Sequence, residues 1–210
     1  MRSSHFPEIV MVRIIASGEF EVSASKAVAL PDAHLEGKPV RISGWQSLYG
    51  VLDATSVRAR TLPNRIAQQF RVKTAQMPKT TDAERLVVQR VGQDLFRAAL
   101  LDFWGGTCCV TGLAFPQLLR ASHIRPWSAC ETDEQRLDVF NGLLLSPNLD
   151  ALFDGGWVTF QDDGNMLLCD ELDAHARNTL GVGVALAAQK LCPEHLPYMA
   201  YHRTHVFRSA

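Results

Sequence analysis

Three short stretches hold residues whose types and spacing could do chemistry. They are Ala121-Ser122-His123-Ile124-Arg125-Pro126-Trp127, Asn141-Gly142-Leu143-Leu144-Leu145 and Asp150-Ala151-Leu152-Phe153-Asp154. An imidazole titrates near neutrality, so His123 could take a proton from water. Asp150 and Asp154 are four apart, which on a helix puts them one turn from each other on the same face. Carboxylates are hard oxygen donors and suit Mg²⁺ or Mn²⁺. Arg125, two residues past His123, could clamp a phosphate, or pair with Asp138. A lone histidine on an apolar strand is usually structural. The joint spacing of His123, Asn141, Asp150 and Asp154 is what argues for a site.

The surrounding sequence must position these groups. Cys108–Val110 and Leu118–Ile124 read as strands separated by a Thr111-Gly112 turn and a loop. A helix is expected from about Pro147 to Phe153. Trp157–Phe160 and Met166–Leu168 flank Asp162-Asp163-Gly164-Asn165, a hairpin signal. Glu171–Leu180 reads as helix. Upstream, Thr81 with Glu84 has the spacing of a capping box, and an apolar helical period follows to Trp104 and the Gly105-Gly106 stop.

Residues 9–52 look β-rich. Strands are expected at Ile9–Ile15, Phe20–Val22 and Val40–Ile42, with turns at Pro31-Asp32 and Gly37-Lys38-Pro39. Residues 74–81 are small, polar and proline-containing, a linker composition. The expected division is a basic β-rich domain over 1–76 and a second domain over 81–210.

The chain has 210 residues, 47% hydrophobic and 20% charged, an ordinary globular balance. No apolar run reaches the length of a membrane span, and the first residues lack a secretory apolar stretch. Five cysteines at 108, 109, 130, 169 and 192 are an odd count at irregular spacing. They argue against a disulfide framework and for a reducing, cytoplasmic compartment.

A net charge of −1 conceals an asymmetry. Residues 1–80 hold 11 basic against 6 acidic side chains, and residues 81–210 hold 10 against 16. Between Ala54 and Thr81 there is no acid, but Arg58, Arg60, Arg65, Arg71, Lys73 and Lys79 are present. Such a window suits a polyanion, and DNA is the expected partner. A solvated basic surface is the alternative.

The three chemical stretches together resemble the HNH nuclease family, in the branch whose helix ends D-x-x-F-D. The flanks Arg90-Val91-Gly92-Gln93, Phe96-Arg97, Cys108-x-x-Thr111-Gly112, Arg136-Leu137-Asp138, Glu194-His195 and Tyr201-His202-Arg203 fit that branch. The resemblance covers about residues 81–208 and is most specific from Cys108 to Phe160. It implies an α+β protein: a small β-rich N-terminal domain, then a ββα-metal nuclease domain with its core at about 107–160, flanking helices and a β-hairpin.

By resemblance, His123 is the general base and Asn141 fixes the loop around it or ligates the metal. Asp150 stands where the common pattern has its last histidine. Asp150 and Asp154 would hold one divalent metal, Mg²⁺ or Mn²⁺. The usual acid or histidine before the base is here Ser122, a weak neutral ligand. Of the four positions that hold a structural zinc in many relatives, Cys108, Thr111, Ser146 and Leu149, only one is cysteine, so no structural zinc is expected. Arg125, Arg58, Arg60, Arg65, Arg71 and Lys73 are the candidate DNA contacts.

The implied function is a metal-dependent DNA endonuclease of restriction or defence type, with modified cytosine as a further implication. One site would nick one strand, so double-strand cleavage would need a homodimer or two successive events. The alternative is a DNA-binding protein with a weak or dead nuclease site.

Overall fold

The computed structural model describes residues 10–24, 39–78, 80–183 and 186–208. The chain divides into two compact units, 1–62 and 63–210.

In the first unit, β1 (Val10–Ala16), β2 (Glu19–Ala24) and β3 (Val40–Ser43) form an antiparallel sheet in that order. Val12 pairs with Val22, and Phe20 with Ile42. Helix α1 (Trp45–Thr61) follows. Phe20, Val22, Ile42 and Leu48 form the buried cluster, with Trp45 edge-on to Phe20 at 4.6 Å. The strand expected from Ile9 starts at Val10 in the described residues. The turns expected at Pro31-Asp32 and Gly37-Lys38 lie outside them.

The expected β-rich stretch yields to helix after Ser43. Of the basic window, Arg58 and Arg60 lie on α1 and Arg65, Arg71 and Lys73 on α2 (Pro63–Thr74), with Lys79 outside the described residues. The division between units falls at Leu62/Pro63 and not after residue 76. The reason is apolar: Ile66, Ala67 and Phe70 of α2 are buried in the main core of the second unit. Proline is tolerated in the first turn of a helix, so Pro63 ends α1 and starts α2.

In the second unit, α2 packs on α3 (Asp82–Phe103). Thr81 caps α3 as its sequence indicated: its hydroxyl accepts from the Glu84 N–H, and the Glu84 carboxylate accepts from the Thr81 N–H. Strand β4 (Arg120–His123) pairs antiparallel with β5 (Gly142–Leu145), setting Ser122 opposite Leu143 and His123 opposite Gly142. Between them lies a loop with the short α4 (Asp133–Arg136). After β5 comes α5 (Pro147–Asp154), then the hairpin β6 (Val158–Phe160) and β7 (Met166–Leu168). Helices α6 (Ala174–Leu180) and α7 (Leu196–His205) complete it.

Cys108–Val110 is a turn and not a strand. It contributes one ladder-like bond, from the Cys109 N–H to Leu144 O at 2.9 Å. The β4 partner is instead the wholly buried run Gly142–Leu145. A continuous apolar run that short carries no alternation by which to read it as a strand. α6 also starts three residues later than expected, where Asp173 caps it through the Ala176 N–H.

Gly142 shows how tightly α3 backs this ribbon. A Cβ there would lie 2.5 Å from the Phe96 ring and 2.8 and 2.9 Å from the Leu100 methyls. The core runs from these residues through Leu143, Leu144, Leu145, Leu149, Phe153 and Phe160 to Met199 of α7.

Candidate active site

Strand β4 is four residues long, and its pleat sends neighbouring side chains to opposite faces. Ser122 turns toward α5, and its hydroxyl donates to Asp154 Oδ1 at 3.0 Å. α5 sets Asp150 one turn before Asp154, near enough for the Ser122 hydroxyl to favour its charged form. Three oxygen-bearing side chains from one strand and one helix thus meet. Partial burial raises the pKa of Asp150, opposed by the Ser122 hydroxyl and the charge of Arg120. Burial also raises Asp154, and the neighbouring Asp150 charge pushes it the same way.

His123 turns toward α3. Its ring stacks on Phe96 at 3.9 Å and 14°, and Trp127 meets it edge-on at 5.6 Å. Nε2 lies 2.8 Å from the Arg136 carbonyl oxygen, so Nε2 carries the proton and Nδ1 keeps a lone pair. Burial lowers the pKa of His123, only partly offset by that carbonyl. The ring is therefore neutral at neutral pH.

Asn141 is fully buried at the end of the loop that faces His123. Its Oδ1 accepts from the Arg125 N–H at 2.7 Å. Its Nδ2 faces Arg125 O at 3.2 Å, Gln135 O at 3.0 Å and Cys130 Sγ at 3.3 Å. The amide is committed to the loop at both ends. Gln135 precedes the residue whose carbonyl accepts the hydrogen bond from His123 Nε2–H.

Arg125 and Asp138 do not pair. Arg125 donates to Ala129 O at 3.0 Å, pairs with Glu131 at 3.2 Å and lies over the Tyr201 ring at 4.7 Å. Asp138 accepts from the Phe140 N–H and the Tyr198 hydroxyl, both at 2.9 Å. Arg136 pairs with Asp133 at 3.2 Å and donates to carbonyls of the loop. Sequence reading missed Tyr198 and the structural use of Phe96, and no local signal marks either.

The candidate DNA contacts are divided between the units. Arg58 and Arg60 are on α1, with Arg60 donating to Ser56 Oγ at 2.9 Å. Arg65, Arg71 and Lys73 are on α2, where Arg71 pairs with Glu134. The two histidines of α7 have different surroundings. His202 is buried and bonded to Thr159 and Phe153, whereas His205 is exposed and within hydrogen-bond distance of Tyr201 O.

Residues 108–161 match a family model described as HNH endonuclease. The match spans β4, β5, α5 and β6, and so holds Ser122, His123, Asn141, Asp150 and Asp154. No curated protein matches the chain. The HNH segment supports nuclease chemistry on nucleic acid, although such domains can also be inactive. No described helix is long and apolar enough to cross a membrane.

HNH nucleases generally use a divalent metal. Among the described residues, no three His, Cys, Asp or Glu side chains gather to hold one. The set present is two carboxylates and one hydroxyl, all hard oxygen donors. It fits a cation of the Mg²⁺ kind, which keeps several waters and takes one or two protein carboxylates. A cation would also relieve the repulsion that Asp154 feels from Asp150.

Proposed function

We propose that the chain is a metal-dependent DNA endonuclease of restriction or defence type, with His123 as its base. The observation that carries this is the neutral His123 ring held by Nε2 against the Arg136 carbonyl. That arrangement leaves Nδ1 to accept a proton from water, and the carbonyl then stabilises the imidazolium. Asn141 acts as a positioning residue: through Gln135 and Arg125 it fixes the loop that carries the Arg136 carbonyl. Asp150, Asp154 and Ser122 would hold the divalent cation, Mg²⁺ or Mn²⁺. When bound, it supplies positive charge for the scissile phosphate and the leaving oxygen. One base and one carboxylate pair serve one strand per event.

A second reading has an observation in its favour. Ser122 and His123 turn to opposite faces of β4, so the carboxylate pair and the imidazole are backed by different helices. A DNA-binding protein with a weak site would look like this. The test is plasmid nicking by wild type and His123→Ala with Mg²⁺, Mn²⁺ or EDTA, on unmodified and cytosine-modified DNA. Metal-dependent nicking that falls by roughly 10²- to 10⁴-fold in His123→Ala supports the enzyme. Salt-sensitive DNA binding by both proteins with no cleavage by either supports the second reading.

A further inference from the structure

The loop that feeds β4 is exposed along its length. Eight consecutive residues, Thr111–Leu118, are exposed. Three are large and apolar: Leu113 at 37%, Phe115 at 51% and Leu118 at 52% exposure. The loop is nevertheless fastened. Arg97 of α3 donates to Pro116 O at 2.7 Å and to Leu119 O at 2.6 Å. The Cys108 N–H donates to Leu113 O at 2.9 Å, the Gly112 N–H to Cys108 O at 3.1 Å and the Leu118 N–H to Phe115 O at 3.0 Å. A half-buried arginine thus holds a loop whose apolar side chains stand in water.

Charge says what they face. From Phe103 to Cys130 the sequence has no acidic residue, in a half of the chain that is otherwise net acidic. The loop ends two residues before Arg120, which is exposed and close enough for its charge to act on Asp150. An acid-free apolar projection next to an exposed arginine fits a polyanion that also offers apolar surface. Duplex DNA does so at its base steps, which proteins open with rigid Phe, Leu and Pro wedges.

Resting on the nuclease reading above, we infer that Leu113, Phe115 and Leu118 form a wedge that enters a DNA groove beside the cut and partly unstacks a base step. The step unwinds the duplex locally. A loop held by Arg97 enters without first paying the entropy of ordering.

The probe is supercoiled plasmid, relaxed by a metal-independent type I topoisomerase in EDTA with the full-length chain bound. A wedge lowers the linking number in proportion to bound protein. Phe115→Ser and Leu113→Ser change exposed side chains, and thermal melting checks that they fold. They should still bind but lose most of the unwinding, and nicking with Mg²⁺ should fall roughly ten-fold or more, the scale of one lost base stack. If wild type binds and nicks, and Phe115→Ser matches it in both unwinding and nicking, the wedge is overturned and the nuclease reading stands. If wild type neither binds nor nicks, both fall. If the serine variants change only the oligomeric state, the loop is a protein contact and the wedge is overturned.

Discussion

Two buried groups make opposite demands on the pH dependence of stability. Burial pushes the Asp138 carboxyl from an ordinary 3.8 to about 6, against the hydrogen bonds from Phe140 and Tyr198 and with help from the charge of Glu194. Burial pulls His202 from 6.5 to about 4, opposed by its bond to Phe153 O and assisted by Arg203. Between pH 3.8 and 6, folded Asp138 binds a proton more tightly than the unfolded chain does. Its contribution to stability therefore rises as pH falls through 6. Between pH 4 and 6.5, the unfolded chain binds the His202 proton more tightly, so this contribution falls as pH drops.

From pH 7.5 to 4.5 the Asp138 gain works out at about 2 kcal/mol and the His202 loss at about 2.5 kcal/mol. The raised Asp150 and Asp154 act in the direction of Asp138, and the lowered His123 in that of His202. The contributions of these buried groups therefore largely offset one another across this range. The measurement is urea unfolding at pH 7.5, 6.0 and 4.5 for wild type, Asp138→Asn and His202→Gln. Asparagine keeps the acceptor for the Phe140 N–H and the cap that Asp138 provides. Whatever either substitution costs at pH 7.5, only its change with pH tests the argument. Asp138→Asn should lose about 2 kcal/mol relative to wild type on going to pH 4.5, and His202→Gln should gain about 2.5 kcal/mol. A profile for Asp138→Asn parallel to wild type would refute the buried-carboxylate reasoning.

Gly142→Ala puts a methyl within 2.5 to 2.9 Å of Phe96 and Leu100, both fully buried. It should cost about 3 kcal/mol, the upper end for overpacking, seen as a melting temperature lower by roughly 6–12 °C. Because Phe96 carries the His123 ring, nicking should fall further than stability alone explains. Mg²⁺ or Mn²⁺ at 100 times its dissociation constant should stabilise wild type by about 2.7 kcal/mol in thermal or urea melts. Asp150→Asn and Asp154→Asn should show little of that gain, and each should be slightly more stable than wild type without metal, since the repulsion between the two acids is gone.

Much of the site could be read because its residues carry local signals. Asp150 and Asp154 share a face by helical spacing alone, and Thr81 with Glu84 announces the start of α3. The hairpin around Asp162–Asn165 follows from its turn residues. The ribbon partner of β4 could not be read the same way, because Gly142–Leu145 is buried on both faces and lacks alternation. The helical character of 45–74 was obscured by its arginines and by Pro63. Its weak apolar periodicity becomes meaningful only once Ile66 and Phe70 have α3 to pack on. The pairing of Asp138 with Tyr198 joins residues 60 apart, and no spacing rule reaches that far.

The HNH segment does not hold its own site. Its ribbon is four residues wide in register, and the groups that fix it lie outside 108–161 on both sides. Before it, Phe96 backs His123 and Gly142, and Arg97 ties down the loop entering β4. After it, α7 reaches both halves. Tyr198 holds Asp138 in the loop next to His123, and Arg125 in the same loop lies over Tyr201. Four residues after Tyr198, His202 stacks on Phe153 at 3.8 Å and bonds its carbonyl, one residue before Asp154. Arg208 then donates to Gly155 O just past the end of α5. The carboxylates on α5 and the loop around the imidazole are thus braced by one ten-residue helix. A short ribbon can keep two chemical groups on opposite faces in fixed relation only if something rigid spans both, and α7 is the element that does so.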